Sequence, residues 1–212
     1  MPVITAVTPS VRREGRFEIV VDGKSVGTLS LDAIERLRLH VGSEYDERLA
    51  ESVSAEAARL RTFDRALDML AFRARATREL RTALLRKGEE AANVDHALER
   101  LTAMGLLDDA SYARQYAHAK IVGPGFSRRR LQAELAKRGV ARDVADSAIA
   151  EALTGDDVDH DAILERVASK KLRSLEKVDA PTRRRRLYEF LARRGYDSDD
   201  IRRVMDRLLH DD

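Results

Sequence analysis

The sequence predicts a mainly α protein: an elongated array of three tandem three-helix repeats, preceded by a small three-stranded antiparallel β-sheet and a short helix. Three observations lead to this. The chain is rich in Ala, Leu, Arg and Glu and holds only 5% aromatic residues, a balance that favours helix over sheet. Gly88, Gly139 and Gly195, spaced by 51 and 56 residues, close three similar stretches of helical patterning. Only the first thirty residues break into short β-branched segments.

Those segments come first. Residues 3–7, 17–21 and 26–29 read as strands, and Asp22-Gly23 between the second and third is a hairpin turn, because Gly accepts the positive φ that a tight turn demands. Leu31, Ile34, Leu37 and Leu39 then follow a helical rhythm, with Ser30 as N-cap and Gly42 as the break. From Asp46 onward the chain reads as helix and turn.

Each of the three glycines follows a basic pair: Arg86-Lys87, Lys137-Arg138 and Arg193-Arg194. A Leu lies four residues before each (Leu84, Leu135, Leu191) and another eight before (Leu80, Leu131, Leu187). Ten residues downstream stand Leu98, Ile149 and Met205; thirteen downstream stand Leu101, Ala152 and Leu208. Each unit therefore has a helix closed by a left-handed glycine cap, then a second helix. Thr77, Ser127 and Thr182 mark the starts of the glycine-closed helices, with Glu79 and Asp143 in first turns. A further helix precedes each pair, at about residues 63–73, 110–121 and 162–172. The expected divisions are residues 1–45, 46–105, 106–155 and 156–212. Gly105-Leu106-Leu107-Asp108 makes a short apolar joint, residues 154–161 a polar acidic one, and Gly123-Pro124-Gly125 a turn or hinge.

Net charge is only +2, yet the basic residues are not evenly spread. At about 100° per residue, Leu131 and Leu135 define a buried face, and Arg129, Arg130 and Lys137 fall opposite. The equivalent positions in the third unit are Arg185, Arg186 and Arg193; in the first they are Arg78, Glu79 and Arg86. A basic face repeated in register points to an anionic, extended target such as a phosphate backbone or an acidic protein groove. Few opposite charges stand ready to pair along these helices. Lys87, Arg138 and Arg194 lie nearer the buried side, where they snorkel and favour the helix C-terminus.

Catalytic and metal chemistry find little support. His40, His96, His118, His160 and His210 share no metal-ligand spacing, and none adjoins a serine nucleophile pattern. Asp156, Asp157, Asp159, His160 and Asp161 lack the Gly and terminal Glu of a calcium loop, so a linker is the better account. Gly123-Pro124-Gly125 is not followed by the Lys-Ser/Thr of a phosphate loop. Tyr112 and Tyr116, spaced i,i+4, read as core packing. No cysteine is present, which excludes disulfides and fits a reducing compartment. Without a signal-like start or an apolar run near the ~20 residues of a membrane span, a cytoplasmic protein is expected. No enzyme activity, metal or cofactor is expected.

The residues from 66 to 209 resemble the RecX family. The similarity is carried by ALDMLAFRARATRELRTALLRKG, LERLTAMGLLDDASYARQYAHAK, RRRLQAELAKRGV and FLARRGYDSDDIRRVM. Its most specific pieces run from Gly105 through Asp108-Asp109-Ala110-Ser111-Tyr112 to Ala113, and from Arg193 through Arg194 and Gly195 to Tyr196. Residues 3–40 are similar to a short β-rich extension found in some members. The resemblance implies a curved rod of three-helix repeats that binds the RecA nucleoprotein filament in its groove. It implies inhibition of the RecA coprotease, ATPase and strand-exchange activities, hence a part in recombinational DNA repair and the SOS response. It also implies weak binding of single- and double-stranded DNA, no catalysis and no cofactor. A monomer is expected, and no membrane. The contact residues expected from the basic faces are Arg129, Arg130, Lys137, Arg185, Arg186 and Arg193, with Arg78 and Arg86 in the first unit. The residues alone leave two other readings open: a stand-alone DNA-binding architectural protein, and a helical scaffold for an acidic protein partner.

Overall fold

The computed structural model of the chain describes residues 1–11, 13–155 and 159–209. It forms two compact units, Met1–Ala74 with Leu80–Leu106, and Arg75–Glu79 with Leu107–Asp212.

The first unit opens with three strands, β1 (Ile4–Pro9), β2 (Arg16–Val21) and β3 (Lys24–Ser30), in an antiparallel meander. Asp22 and Gly23 both have positive φ, 48° and 77°, as a two-residue hairpin turn requires. One sheet face buries Ile4, Ile19, Val21 and Leu29. It packs with Ala33 and Ile34 of α1 (Leu31–Arg36), with Leu39, and with Val53 of α2 (Glu47–Phe72). Ser30 caps α1 by accepting the Ala33 N–H, in line with expectation. The helix stops at Leu37, short of residue 39, because Arg38 turns left-handed at φ 54°. Leu39 is still buried, reached from the turn.

The helix expected over residues 63–73 is in fact 26 residues long, starting at Glu47 behind an Asp46 N-cap that accepts the Leu49 N–H at 2.7 Å. Its first half is weakly amphipathic, and the sheet supplies the burial that sequence patterning lacks. Gly27 lets β3 lie close: a Cβ there would stand 3.0 Å from the Ala57 Cβ. Arg16 grips Asp64 of α2 through two hydrogen bonds, 2.6 and 3.2 Å, and Arg36 pairs with Glu56 at 2.9 Å. The unit is completed by most of α3 (Thr77–Arg86) and by α4 (Ala91–Ala103), which packs against α2 and buries Val94, Ala97, Leu98 and Leu101.

The second unit holds two three-helix sets. In one, α5 (Asp109–Val122) and α6 (Arg128–Lys137) pack on α7 (Arg142–Thr154); in the other, α8 (His160–Arg173) and α9 (Ala180–Arg193) pack on α10 (Ser198–Leu209). Leu131, Leu135, Ile121 and Ile149 are fully buried in the first set, and Leu187, Leu191, Ile201 and Val204 in the second. Tyr112 and Tyr116 pack against the first of these cores with their rings stacked, centroids 6.0 Å apart.

Gly88, Gly139 and Gly195 each sit at φ +82°. After each, the following N–H returns to the carbonyl of Leu84, Leu135 or Leu191, and the glycine N–H returns to Leu85, Ala136 or Ala192. This is the Schellman pattern, which satisfies carbonyls that a helix end leaves open. The starts of these helices differ more than expected. Ser127 caps α6, accepting the Arg130 N–H. Thr77 is instead the first residue of α3, and its N–H and hydroxyl both donate to Asp109. For α9 the cap is Asp179, which accepts the Thr182 N–H, with Pro181 in the first turn.

Candidate functional site

The capping glycines also make joints. A Cβ on Gly139 would collide with the Arg78 side chain at the start of α3; one on Gly195 would come within 2.8 Å of Ser127 Oγ and 3.1 Å of the Arg129 Cβ, at the start of α6. In both, the closed end of one helix sits on the opening turn of its counterpart in the preceding repeat. The second joint is tied twice more. Ser127 donates its hydroxyl to the Arg194 carbonyl, and Tyr196 donates to the Gly125 carbonyl at 2.5 Å. Burial pushes the Tyr196 phenol above its ordinary 10.0, against the pull of Arg194, Arg166 and Arg130.

This joint determines where the basic side chains go. Arg129, Arg130 and Lys137 of α6 meet Arg193 and Arg194 along one open cleft of about 470 Å³. Arg129, Lys137 and Arg193 are exposed. Arg130 departs from the outward position expected of it. It is half-buried, its guanidinium 3.7 Å above the Phe126 ring, because side chains in a first turn lean back toward the helix start. Lys137 and Arg193 also have more acidic company than the sequence suggested: Glu134 at 3.5 Å and Glu189 at 3.8 Å. Glu134 is shared with Arg138 at 2.8 Å, a hydrogen bond that holds its carboxyl below the usual carboxylate range. Arg142–Asp146, Arg202–Asp199 and Arg203–Asp200 are further pairs within single helices. Such exposed pairs are weak, about 0–1 kcal/mol, so a polyanion can displace them.

Arg185 and Arg186 are exposed on α9 and enter no ion pair among the described residues. Arg78 is exposed at the first joint, and Arg86 is exposed at the far end of α3, in the other unit. Two of the three helix-end residues behave as the snorkelling pattern foresaw, whereas Lys87, just past the end of α3, is exposed. Arg138 lies over Tyr116 at 4.5 Å and Arg194 over Phe190 at 4.6 Å.

A second basic cleft, of about 560 Å³, was not foreseen. Arg166, Lys170 and Lys171 of α8 and Arg194 line it around Phe190. Arg166 donates to the carbonyls of Val122 and Gly123, at 2.5 and 2.9 Å, closing the end of α5. Arg166, Lys170 and Lys171 share α8, but Phe190 and Arg194 reach the cleft from the end of α9, so the spacing within α8 alone does not announce it.

Asp156 and Asp157 of the acidic joint lie outside the described residues, as does His210; Asp159 caps α8, accepting the Ala162 N–H at 2.9 Å. Among the described residues no group of His, Asp and Glu is arranged to hold a metal ion, and no helix is long and apolar enough to cross a membrane.

The repeats correspond to known domains. Residues 63–101, 108–149 and 157–205 match the first, second and third three-helix domains of RecX. The chain is 40% identical over 129 residues to a regulatory protein RecX from Amycolatopsis mediterranei, covering 61% of this chain and 72% of that protein. It is 33% identical over 144 residues to the regulatory protein RecX of Pelodictyon phaeoclathratiforme, covering 68% of this chain and 86% of that one. The fold is shared with a crystal structure of a regulatory protein RecX, with a TM-score of 0.77 at 20% identity over 97% of this chain and all of the other. It is also shared with RecX from Lactobacillus salivarius, with a TM-score of 0.60 at 17% identity over 71% of this chain and 96% of the other. Three repeats matched in order, in a chain that covers most of its relatives' length, place this protein in the RecX family of regulatory proteins.

Proposed function

We propose that the chain is a non-catalytic cytoplasmic regulator that binds the groove of the RecA–DNA filament and inhibits RecA's ATPase, recombinase and coprotease activities. Residues 46–105, 106–155 and 156–212 act as its three binding repeats, and residues 1–45 as an accessory extension. Arg78, Arg86, Arg129, Arg130, Lys137, Arg185, Arg186 and Arg193 are the contacts. The observation that carries this reading is the cleft where Arg129, Arg130 and Lys137 of one repeat face Arg193 and Arg194 of the next. Two adjacent repeats thereby offer one continuous positive surface, suited to a long polyanion and not to a small substrate. Several weak contacts on one chain add through effective concentration. Contacts that favour one filament state over another bias RecA toward it.

The test is charge reversal. Arg185→Glu, Arg186→Glu and Arg193→Glu together should remove most of the inhibition of DNA-dependent ATP hydrolysis by RecA while the circular dichroism spectrum stays helical. Inhibition at the wild-type level would rule these three residues out.

A further inference from the structure

The cleft of Arg166, Lys170, Lys171 and Arg194 differs from the sequence-predicted row in one decisive respect. Among the described residues no carboxylate lines it, whereas Glu134 lies on the wall of the α6–α9 cleft. Lys170 and Lys171 enter no ion pair among the described residues. The remaining two cations are held in place without neutralisation. Arg166 is fixed by the Val122 and Gly123 carbonyls, and Arg194 lies on the Phe190 ring with one donor toward the Pro124 carbonyl at 3.4 Å. Lys171 also approaches the Phe190 ring, at 5.4 Å. A ring face softens the mutual repulsion of cations without consuming their charge. Two fixed guanidinium groups and two ammonium groups around an apolar floor leave a positive potential with no internal counter-charge, and that calls for an external anion.

The identity of the anion follows from continuity. Arg194 lines both this cleft and the one that holds Arg129, Arg130 and Lys137. A discrete phosphate would occupy one cleft. A chain of phosphates can pass from one to the other around the end of α9. We propose that the Arg166–Lys170–Lys171–Arg194 cleft binds the phosphodiester backbone of a single polynucleotide strand, which continues into the α6–α9 cleft. This rests on the reading of the chain as a partner of DNA-bound filaments. It adds that the third repeat touches the DNA itself, on side chains outside the repeated basic row.

The whole chain, without RecA, is titrated with a labelled oligothymidylate at several salt concentrations. Each phosphate contact on a single strand contributes about −0.7 to the slope of log affinity against log salt. Lys170→Gln with Lys171→Gln removes two, so the slope should become shallower by about 1.4. Lys170 is exposed and Lys171 half-buried, neither in the core, so the fold should survive, and an unchanged thermal midpoint checks that it does. Arg129→Gln with Lys137→Gln is measured in parallel. A slope unchanged by the Lys170/Lys171 pair overturns the inference, whatever the second pair does. Slopes made shallower by both pairs uphold the inference. A slope changed only by the Lys170/Lys171 pair overturns the continuation into the α6–α9 cleft, and with it the choice of a polynucleotide over a discrete phosphate. No binding by the wild type overturns the inference too, and leaves the filament reading to the ATPase test.

Discussion

Ser127, Arg194, Gly195 and Tyr196 concentrate the chemistry of the joint within a few side chains. The Tyr196 hydroxyl is buried and donates to a backbone carbonyl, and burial raises its phenol above 10.0. Ionisation is thus harder in the folded state than in the unfolded one. The stability tied to that proton is fully present below pH 10 and is lost as pH rises through the folded value. Tyr196→Phe should cost about 1 kcal/mol at neutral pH, a typical hydrogen bond. Urea midpoints measured at rising pH should converge for the two proteins above pH 10, and a constant gap would refute the assignment. The Arg-Arg-Gly-Tyr run was legible as a family signature and its glycine as a helix cap. The partners of the tyrosine were not, because Gly125 lies 71 positions away and only folding brings it near. Arg130 taught a related lesson. A helical wheel gives its direction in the cross-section, whereas its lean along the axis, onto Phe126, depends on what precedes the cap.

Among the elements, α3, α6 and α9 share one design, and glycine substitution separates its two duties. All three glycines have φ +82°, a conformation that costs an L-residue about 1–2 kcal/mol. Nothing lies within 4 Å of a Cβ built on Gly88, but Gly139 and Gly195 face the preceding repeat. Gly88→Ala should therefore show only the backbone penalty. Gly139→Ala and Gly195→Ala should lose about 1–3 kcal/mol more, the usual cost of overpacking. Equal losses in denaturant melts would mean the joints are looser than the geometry indicates. The caps were readable because positive φ selects glycine. The true length of α2 was not: between Glu47 and Thr62 only Val53, Leu60 and Thr62 are buried, and the sheet that covers this stretch is contributed by residues ahead of it. The lysine-rich end of α8 was missed for a similar reason, since it becomes a cleft wall only when α9 arrives.

At the scale of the whole molecule, a net charge of +2 hides strong segregation. On the proposed function, attraction to a polyanion is local, and it should be divisible. If the repeats act together through effective concentration, reversing charge in α6 and α9 together should weaken filament binding by the product of the separate effects. A double variant no worse than either single one would show that a single repeat does the binding. The glycine joints carry one more consequence. Each sets the closing turn of a later repeat on the opening turn of an earlier one, and the reverse arrangement does not occur at either joint. Couplings that run one way distinguish the two ends of the array, so if the chain follows a polymer with its own direction, as proposed, it should fit that polymer in one sense only.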